Sequence, residues 1–179
     1  MSNGDKPDSN LSEYRVRGRT WLFPDADINT DQIMPGHTFV LPEAERRNFV
    51  LETVRPGWNK WVLPGDVIVG GPNFGVGSGR PCGKLLRNLG IVAVLAESIN
   101  GLFLRGCLNS GLVALSCAGA IELFRDGDVA EIDPVKGEVT NTSSGVALAA
   151  QKLPINLLEL AAAGGVLELL LKDGSISIA

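Results

Sequence analysis

Val67-Ile68-Val69-Gly70-Gly71-Pro72-Asn73-Phe74-Gly75-Val76-Gly77-Ser78-Gly79-Arg80 is the stretch from which the rest of the chain can be read. It begins as an apolar, β-branched run, the pattern of a buried strand. It then breaks into a loop with glycines at 75, 77 and 79 and resumes at Pro81-Cys82-Gly83-Lys84-Leu85-Leu86-Arg87-Asn88-Leu89, which predicts a helix with proline at its first position. A glycine loop between a strand and a helix start is suited to an anion. The backbone can approach closely, and free N–H groups and the helix dipole favour negative charge. Arg80 adds a planar guanidinium that fits a carboxylate or phosphate, and Ser78 adds a hydroxyl. Pro81 biases Arg80 away from helical geometry, so Arg80 is expected as a cap residue outside the helix.

Two other readings of the loop stay open on these residues alone. One is a tight turn with a surface arginine. The other is a dinucleotide-binding turn, with Gly75-Val76-Gly77 opening a nucleotide fingerprint and Glu97 near the place of a ribose-binding acid. Against the latter, the third fingerprint glycine would fall on Arg80, and the loop before the first glycine is long for a tight turn.

Outward from the loop, Ile91 to Ala96 predicts a second buried strand. Ser98 is expected to cap a helix through Leu108 with Ile99, Leu102 and Phe103 inward, and Gly111 to Ser116 predicts a third strand. Strand–helix–strand units imply a parallel, right-handed core. Upstream, Tyr14 to Phe23 reads as a strand. Pro24 to Gly36 reads as an Asx-rich loop in which Asp27, Asn29 and Asp31 have the spacing of a calcium-loop opening but lack its later glycine and glutamate. His37 to Val40 leads into a short helical piece from Pro42 to Phe49. Glu52 to Pro64 is irregular, with Trp58 and Trp61 expected in the core and an interface role as the alternative. Downstream, Asp128 to Asp133, Glu138 to Asn141 and Val146 to Ala150 are short strands joined by turns. Pro154 starts a helix to Ala163, Gly164-Gly165 interrupts it, and Val166 to Leu171 continues helically. Residues 1–13 are expected as a disordered polar tail, and residues 14–179 as a single domain.

Composition narrows the function. A net charge of −4 without a basic block argues against nucleic acid, and no run is long enough for a membrane span. Hydrophobic residues at 45% and charged residues at 20% over 179 positions suit one domain with a real core. Three cysteines, 82, 107 and 117, form neither a disulfide framework nor a cluster motif. They are expected as reduced, mostly buried thiols in a cytoplasmic protein, and a single histidine, His37, argues against a self-contained metal site.

Several motifs in order resemble the small subunits of aconitase-superfamily hydro-lyases, the isopropylmalate dehydratase group above all. The family's D-I-N-T-D-x-I stretch is Asp27 to Ile33, and N-F-G-x-G-S-S-R-E corresponds to Asn73 to Pro81. S-F-x-x-I-F-x-R-N corresponds to Ser98 to Gly106, G-D-x-x-E-I-D to Gly127 to Asp133, and A-A-G-G to Ala162 to Gly165. The loop departs from the family pattern at Gly79 for the second serine, Pro81 for the glutamate, and Cys82 for the usual His or Gln. The resemblance implies an α/β fold of the swivelling β/β/α type. It implies no cofactor on this chain, a 4Fe-4S cluster on a partner large subunit, and a small hydroxy-dicarboxylate substrate. It implies Ser78 as the base, Asp31 as an active-site residue that orients its neighbours, Arg80 as a carboxylate clamp, and Gly77 and Gly79 as loop contacts to substrate. Phe39 and Val40 fall where the family lines the pocket for the variable side chain, and Val40 stands where tricarboxylate enzymes carry an arginine. An apolar wall there cannot repay desolvation of a third carboxylate, so an alkyl-substituted malate is implied, as in leucine biosynthesis. Core packing of Val40 is the competing reading. A methylated-malate dehydratase subunit of the dimethylmalate or citramalate type, and a non-catalytic regulatory paralogue, are the functional alternatives.

Overall fold

A computed structural model describes Leu11 and residues 14–177. The expected polar tail, 1–13, lies outside the described residues except at Leu11. That side chain is buried, and its carbonyl accepts from the Tyr14 N–H at 3.0 Å.

Seven strands form one sheet: β1 (Val16–Phe23), β2 (Asp66–Gly70), β3 (Ile91–Ala96), β4 (Val113–Ser116), β5 (Val129–Asp133), β6 (Glu138–Asn141) and β7 (Val146–Ala149). Their order is β4-β3-β2-β1-β5-β6-β7. β1 to β4 pair in parallel, as the strand–helix–strand spacing predicts, and β5 to β7 add an antiparallel meander. β1 belongs to both halves. Val16 to Arg19 pair antiparallel with Val129 to Ile132, while Thr20 to Phe23 run beside Val67 to Gly70. Gly18 sits at this division, where any Cβ would collide with the Gly65 carbonyl oxygen.

Both faces of the parallel half are covered, which explains why Val67-Ile68-Val69 is an unbroken apolar run in a strand whose every residue is buried. Ile68, Val94 and Ala96 point into one layer with Phe23, Ile28, Trp58, Leu86 and Phe103. Val67, Val69, Ala93 and Leu95 point into the other, with Val113, Phe124 and Ile132. The helices are α1 (Thr30–Ile33), α2 (Glu43–Arg46), α3 (Cys82–Leu89), α4 (Gly101–Asn109), α5 (Ala120–Leu123), α6 (Ile155–Ala162) and α7 (Val166–Lys172). α3 and α4 cross closely because position 83 is glycine; a Cβ there would lie 2.6 Å from the Cys107 Cα.

Several expectations need correction. Pro24 to Gly36 is not all loop. It contains α1, held by a capping box in which Asn29 Oδ1 accepts from the Gln32 N–H and Gln32 Oε1 accepts from the Asn29 N–H, both at 2.9 Å. Pro81 is the N-cap of α3 and Cys82 its first residue, so Arg80 lies one place before the cap. α4 is capped by Asn100, whose side chain accepts from the Leu102 N–H. Ser98 Oγ instead accepts from the Asn73 N–H at 2.8 Å, and Leu102 is 41% exposed rather than inward. The two tryptophans separate. Trp58 is core, edge-on to Phe23 at 4.9 Å, and Trp61 is 70% exposed. Helix α5 is not among the expected elements, because its four residues are too few for a periodicity to show.

Candidate active site

The loops that leave the carboxyl ends of the parallel strands gather at one edge of the sheet. Gly71 N–H donates to the Phe23 carbonyl, Glu97 N–H to that of Gly70, and Cys117 N–H to that of Ala96, so the three exits are stitched side by side. In open α/β sheets this is where ligands bind. The 71–81 loop is then threaded against two neighbours. Gly75 N–H donates to Ile28 O and Thr30 N–H to Val76 O, both at 2.8 Å. Phe74 N–H donates to Ser98 O, and Asn100 N–H to Phe74 O, both at 3.0 Å. Asp27 and Asn73, each with a left-handed backbone, are joined by Asn73 Nδ2 donating to Asp27 Oδ1 at 2.7 Å. The glycines earn their places here. Gly75 (φ +78°) lies where a Cβ would strike the Phe103 ring, and at Gly77 (φ +124°) a Cβ would lie 2.6 Å from Thr30 Oγ1.

This threading brings together residues 48 and 49 positions apart. Thr30 Oγ1 accepts from the Ser78 N–H at 3.0 Å. Arg80 Nε–H donates to Ser78 Oγ at 3.2 Å, its Nη1 donates to the Met34 carbonyl at 3.1 Å, and its Nη2 pairs with Asp31 Oδ1. Three of the five guanidinium N–H groups are thereby used and two remain for a ligand. Phe39 is half-exposed, with its ring centroid 5.5 Å from Arg80 Cζ, and a Cβ at Gly36 would lie 3.4 Å from Arg80 Nη1. Val40 is 88% exposed, so the competing reading of Val40 as core fails. Gly77 and Gly79 are exposed, and among the described residues their N–H groups have no protein partner. Ser78, Arg80, Asp31, Gly77, Gly79 and Phe39 thus share one surface.

Residue types at this surface limit its chemistry. Cys82 lies under it with Sγ 3.7 Å from the Thr30 carbonyl, and burial pushes its thiol up to about 12 despite the opposing charge of Arg80. It is a protonated packing residue at neutral pH, neither nucleophile nor base. Burial likewise raises Cys107 well above the ordinary thiol range and Cys117 to about 11. A cysteine ligates metal as its thiolate, and among the described residues no three His, Cys, Asp or Glu side chains gather as a ligand set. Asp27, Asn29 and Asp31, despite calcium-like spacing, turn to Asn73, Gln32 and Arg80 respectively. Glu97 is not free for a ribose. Its carboxylate accepts from the N–H groups of Gly119 and Ile121 at 2.9 and 3.0 Å, which fastens the start of α5 and removes the dinucleotide reading.

Sequence reasoning missed Thr30, the Met34 carbonyl and Leu102 as parts of this surface. The Asn29–Gln32 capping pair was the signal for α1, which orients both Thr30 and Asp31.

Comparison with known proteins follows the same outline. Residues 26–119 match the family described as the aconitase C-terminal domain. The isopropylmalate/citramalate isomerase small subunit of Methanocaldococcus jannaschii is 39% identical over 159 residues, covering 88% of this chain and 94% of that protein. A 3-isopropylmalate dehydratase small subunit of Methanopyrus kandleri is 38% identical over 161 residues, covering 89% and 94%. The crystal structure of a 3-isopropylmalate dehydratase from M. jannaschii superposes with a TM-score of 0.81 at 31% identity, covering 90% of this chain and 96% of the other.

Proposed function

The chain belongs to the aconitase C-terminal-domain family, and from that membership we propose that it is the small subunit of an isopropylmalate isomerase, with Ser78 as its base and Arg80 as its substrate clamp. It is a hydro-lyase component that works with a larger subunit, and no described helix is long and apolar enough to cross a membrane. The observation that carries the assignment of roles is the contact of Arg80 Nε–H with Ser78 Oγ at 3.2 Å, on a loop outside the carboxyl ends of the parallel strands.

A serine oxygen abstracts a proton from carbon only if its anion is stabilised. Here a fixed cation donates directly to that oxygen. Thr30, by accepting from the Ser78 N–H, fixes the backbone that carries it. Ser78 Oγ takes the proton from the substrate carbon next to a carboxylate, the hydroxyl leaves from the neighbouring carbon, and re-addition of water in the opposite sense gives the isomer. The two remaining N–H groups of Arg80 and the N–H groups of Gly77 and Gly79 bind carboxylate oxygens. Asp31 holds the guanidinium in register from the other side. Phe39 and Val40 present an apolar border that suits an alkyl-substituted malate over a tricarboxylate.

In this reading the large subunit carries a 4Fe-4S cluster, as the likeness to the aconitase family implies. Bound there, the cluster supplies a Lewis acid for the leaving hydroxyl.

The test is reconstitution of the full chain with its large subunit. Ser78→Ala should lower kcat by a factor of 10² or more with little change in KM, as expected for an interaction made in the transition state. Arg80→Lys should impair both kcat and KM, because an ammonium cannot replace a planar fork. Full turnover by the Ser78→Ala complex would exclude Ser78 as the base and favour a regulatory subunit.

A further inference from the structure

We propose that Leu102 is a specificity-determining contact for the substrate's alkyl group, an inference that rests on the reading of Ser78 and Arg80 above. The apolar spacing predicts Leu102 inward, and its exposure has a structural cause. The next residue, Phe103, is claimed by the core: it lies edge-on to Phe74 at 5.7 Å and packs on the Gly75 backbone. Successive residues on a helix turn by about 100°, so fixing Phe103 inward turns Leu102 away. The first turn cannot relax, because Asn100 Oδ1 holds the Leu102 N–H at 3.1 Å.

The direction Leu102 takes is toward the loop. Its methyl groups Cδ2 and Cδ1 lie 3.7 and 4.0 Å from where a Cβ of Gly79 would stand. Gly79 is the backbone link between Ser78 and Arg80, so Leu102 borders the pair at Gly79, while the Phe39 ring borders Arg80 with its centroid 5.5 Å from Cζ. A malate-type substrate with a carboxylate on Arg80 and its reacting carbon at Ser78 extends between these two apolar groups. Glycine at 79 is what leaves Leu102 open. A side chain there would cover the leucine methyls, whereas glycine presents them to a ligand. The alkyl substituent gains by packing on Leu102, since apolar surface of both is removed from water.

The experiment uses the reconstituted complex and two substrates that differ in alkyl size, isopropylmalate and citramalate. The readout is the ratio of their kcat/KM values in wild type, Leu102→Ala and Gly79→Ser. Trimming the leucine, or covering it with a serine, should lower the isopropylmalate-to-citramalate ratio by about tenfold, mainly through KM for isopropylmalate. A purely structural leucine would depress both substrates alike and leave the ratio unmoved, and an unmoved ratio in both variants overturns the proposal. Ser78→Ala measured in parallel separates the two levels. If it is inactive while the ratio stays fixed, only the assignment to Leu102 falls. If it is fully active, the active-site reading and this inference fall together.

Discussion

Thr30→Val is the perturbation that asks most directly whether the two loops work as one unit. Thr30 is buried, and its hydroxyl oxygen accepts from the Ser78 N–H at 3.0 Å. Valine keeps the side-chain shape and removes the acceptor. It also places a methyl where Oγ1 stands, against Gly77, whose missing Cβ already marks the closest approach at 2.6 Å. Loss of a neutral hydrogen bond costs about 0.5–1.5 kcal/mol net. In a chain of this size, that corresponds to a fall of roughly 1–6 °C in Tm. The catalytic effect should be larger, because Ser78 loses the anchor that fixes its distance from Arg80. A displacement of about 1 Å can cost up to 10²-fold in rate. We therefore expect kcat of the reconstituted complex to fall by about 10- to 100-fold while KM changes by less than about threefold. The assay is hydration of the unsaturated acid, followed by loss of its ultraviolet absorbance, alongside thermal unfolding. Thr30→Ser keeps the acceptor and should restore most of the rate. Normal kcat in Thr30→Val with a lowered Tm would refute the reasoning, because Thr30 would then support only the fold.

Further outcomes follow from single contacts. Gly77→Ala forces a Cβ onto Thr30 Oγ1 at φ +124° and should cost about 1–3 kcal/mol in urea unfolding, whereas Gly79→Ala meets only Leu102 at 3.7 Å and should leave the unfolding midpoint nearly unchanged. Equal midpoints for the two variants would contradict this account of the loop. Asp66 accepts from Arg19, from Trp21 Nε1 at 2.7 Å and from the Leu63 N–H at 2.9 Å, so Asp66→Asn should cost about 2 kcal/mol at pH 7. Burial alone would raise this carboxyl, but the hydrogen bonds from Arg19, Leu63 and Trp21 outweigh it and hold it below the usual carboxylate range. A depressed folded pKa stabilises above the unfolded value of about 3.9, and that contribution is lost as pH falls through the folded pKa. The gap between wild type and Asp66→Asn should therefore shrink below about pH 4, and a gap that widens on acidification would be the wrong sign. Native protein at pH 8 should resist thiol reagents at Cys82, Cys107 and Cys117, with all three reacting in denaturant; rapid native labelling of Cys82 would contradict its burial.

The chain's local patterns determined a good deal. Apolar runs at 67–69, 91–96 and 112–115, spaced by helical segments, specify parallel strands buried on both faces. Only that environment rewards unbroken apolar runs. The glycine spacing at 75 and 77 announced a backbone that must bend and approach closely, and Ser78 with Arg80 announced chemistry beside it. Boundaries of the longer elements were legible to within a residue or two, whereas the four-residue helices α1 and α5 were not legible, being too short to show a period.

What the tertiary structure decided is which distant groups meet. Thr30, Asp31 and Met34 converge on Ser78 and Arg80 because Gly75 N–H donates to Ile28 O and Thr30 N–H to Val76 O between two loops, a pairing with no periodicity to reveal it. Leu102 and Phe103 are adjacent apolar residues of one helix. Composition treats them alike, and only the competition for space beside Gly75 sends phenylalanine into the core and leaves leucine at the surface. Trp58 and Trp61 divide for the same reason, since Phe23 and Trp21 offer a packed edge to Trp58. Local sequence carries the cost and preference of each conformation. Close packing, in which each volume admits one occupant, determines which residue takes the interior place.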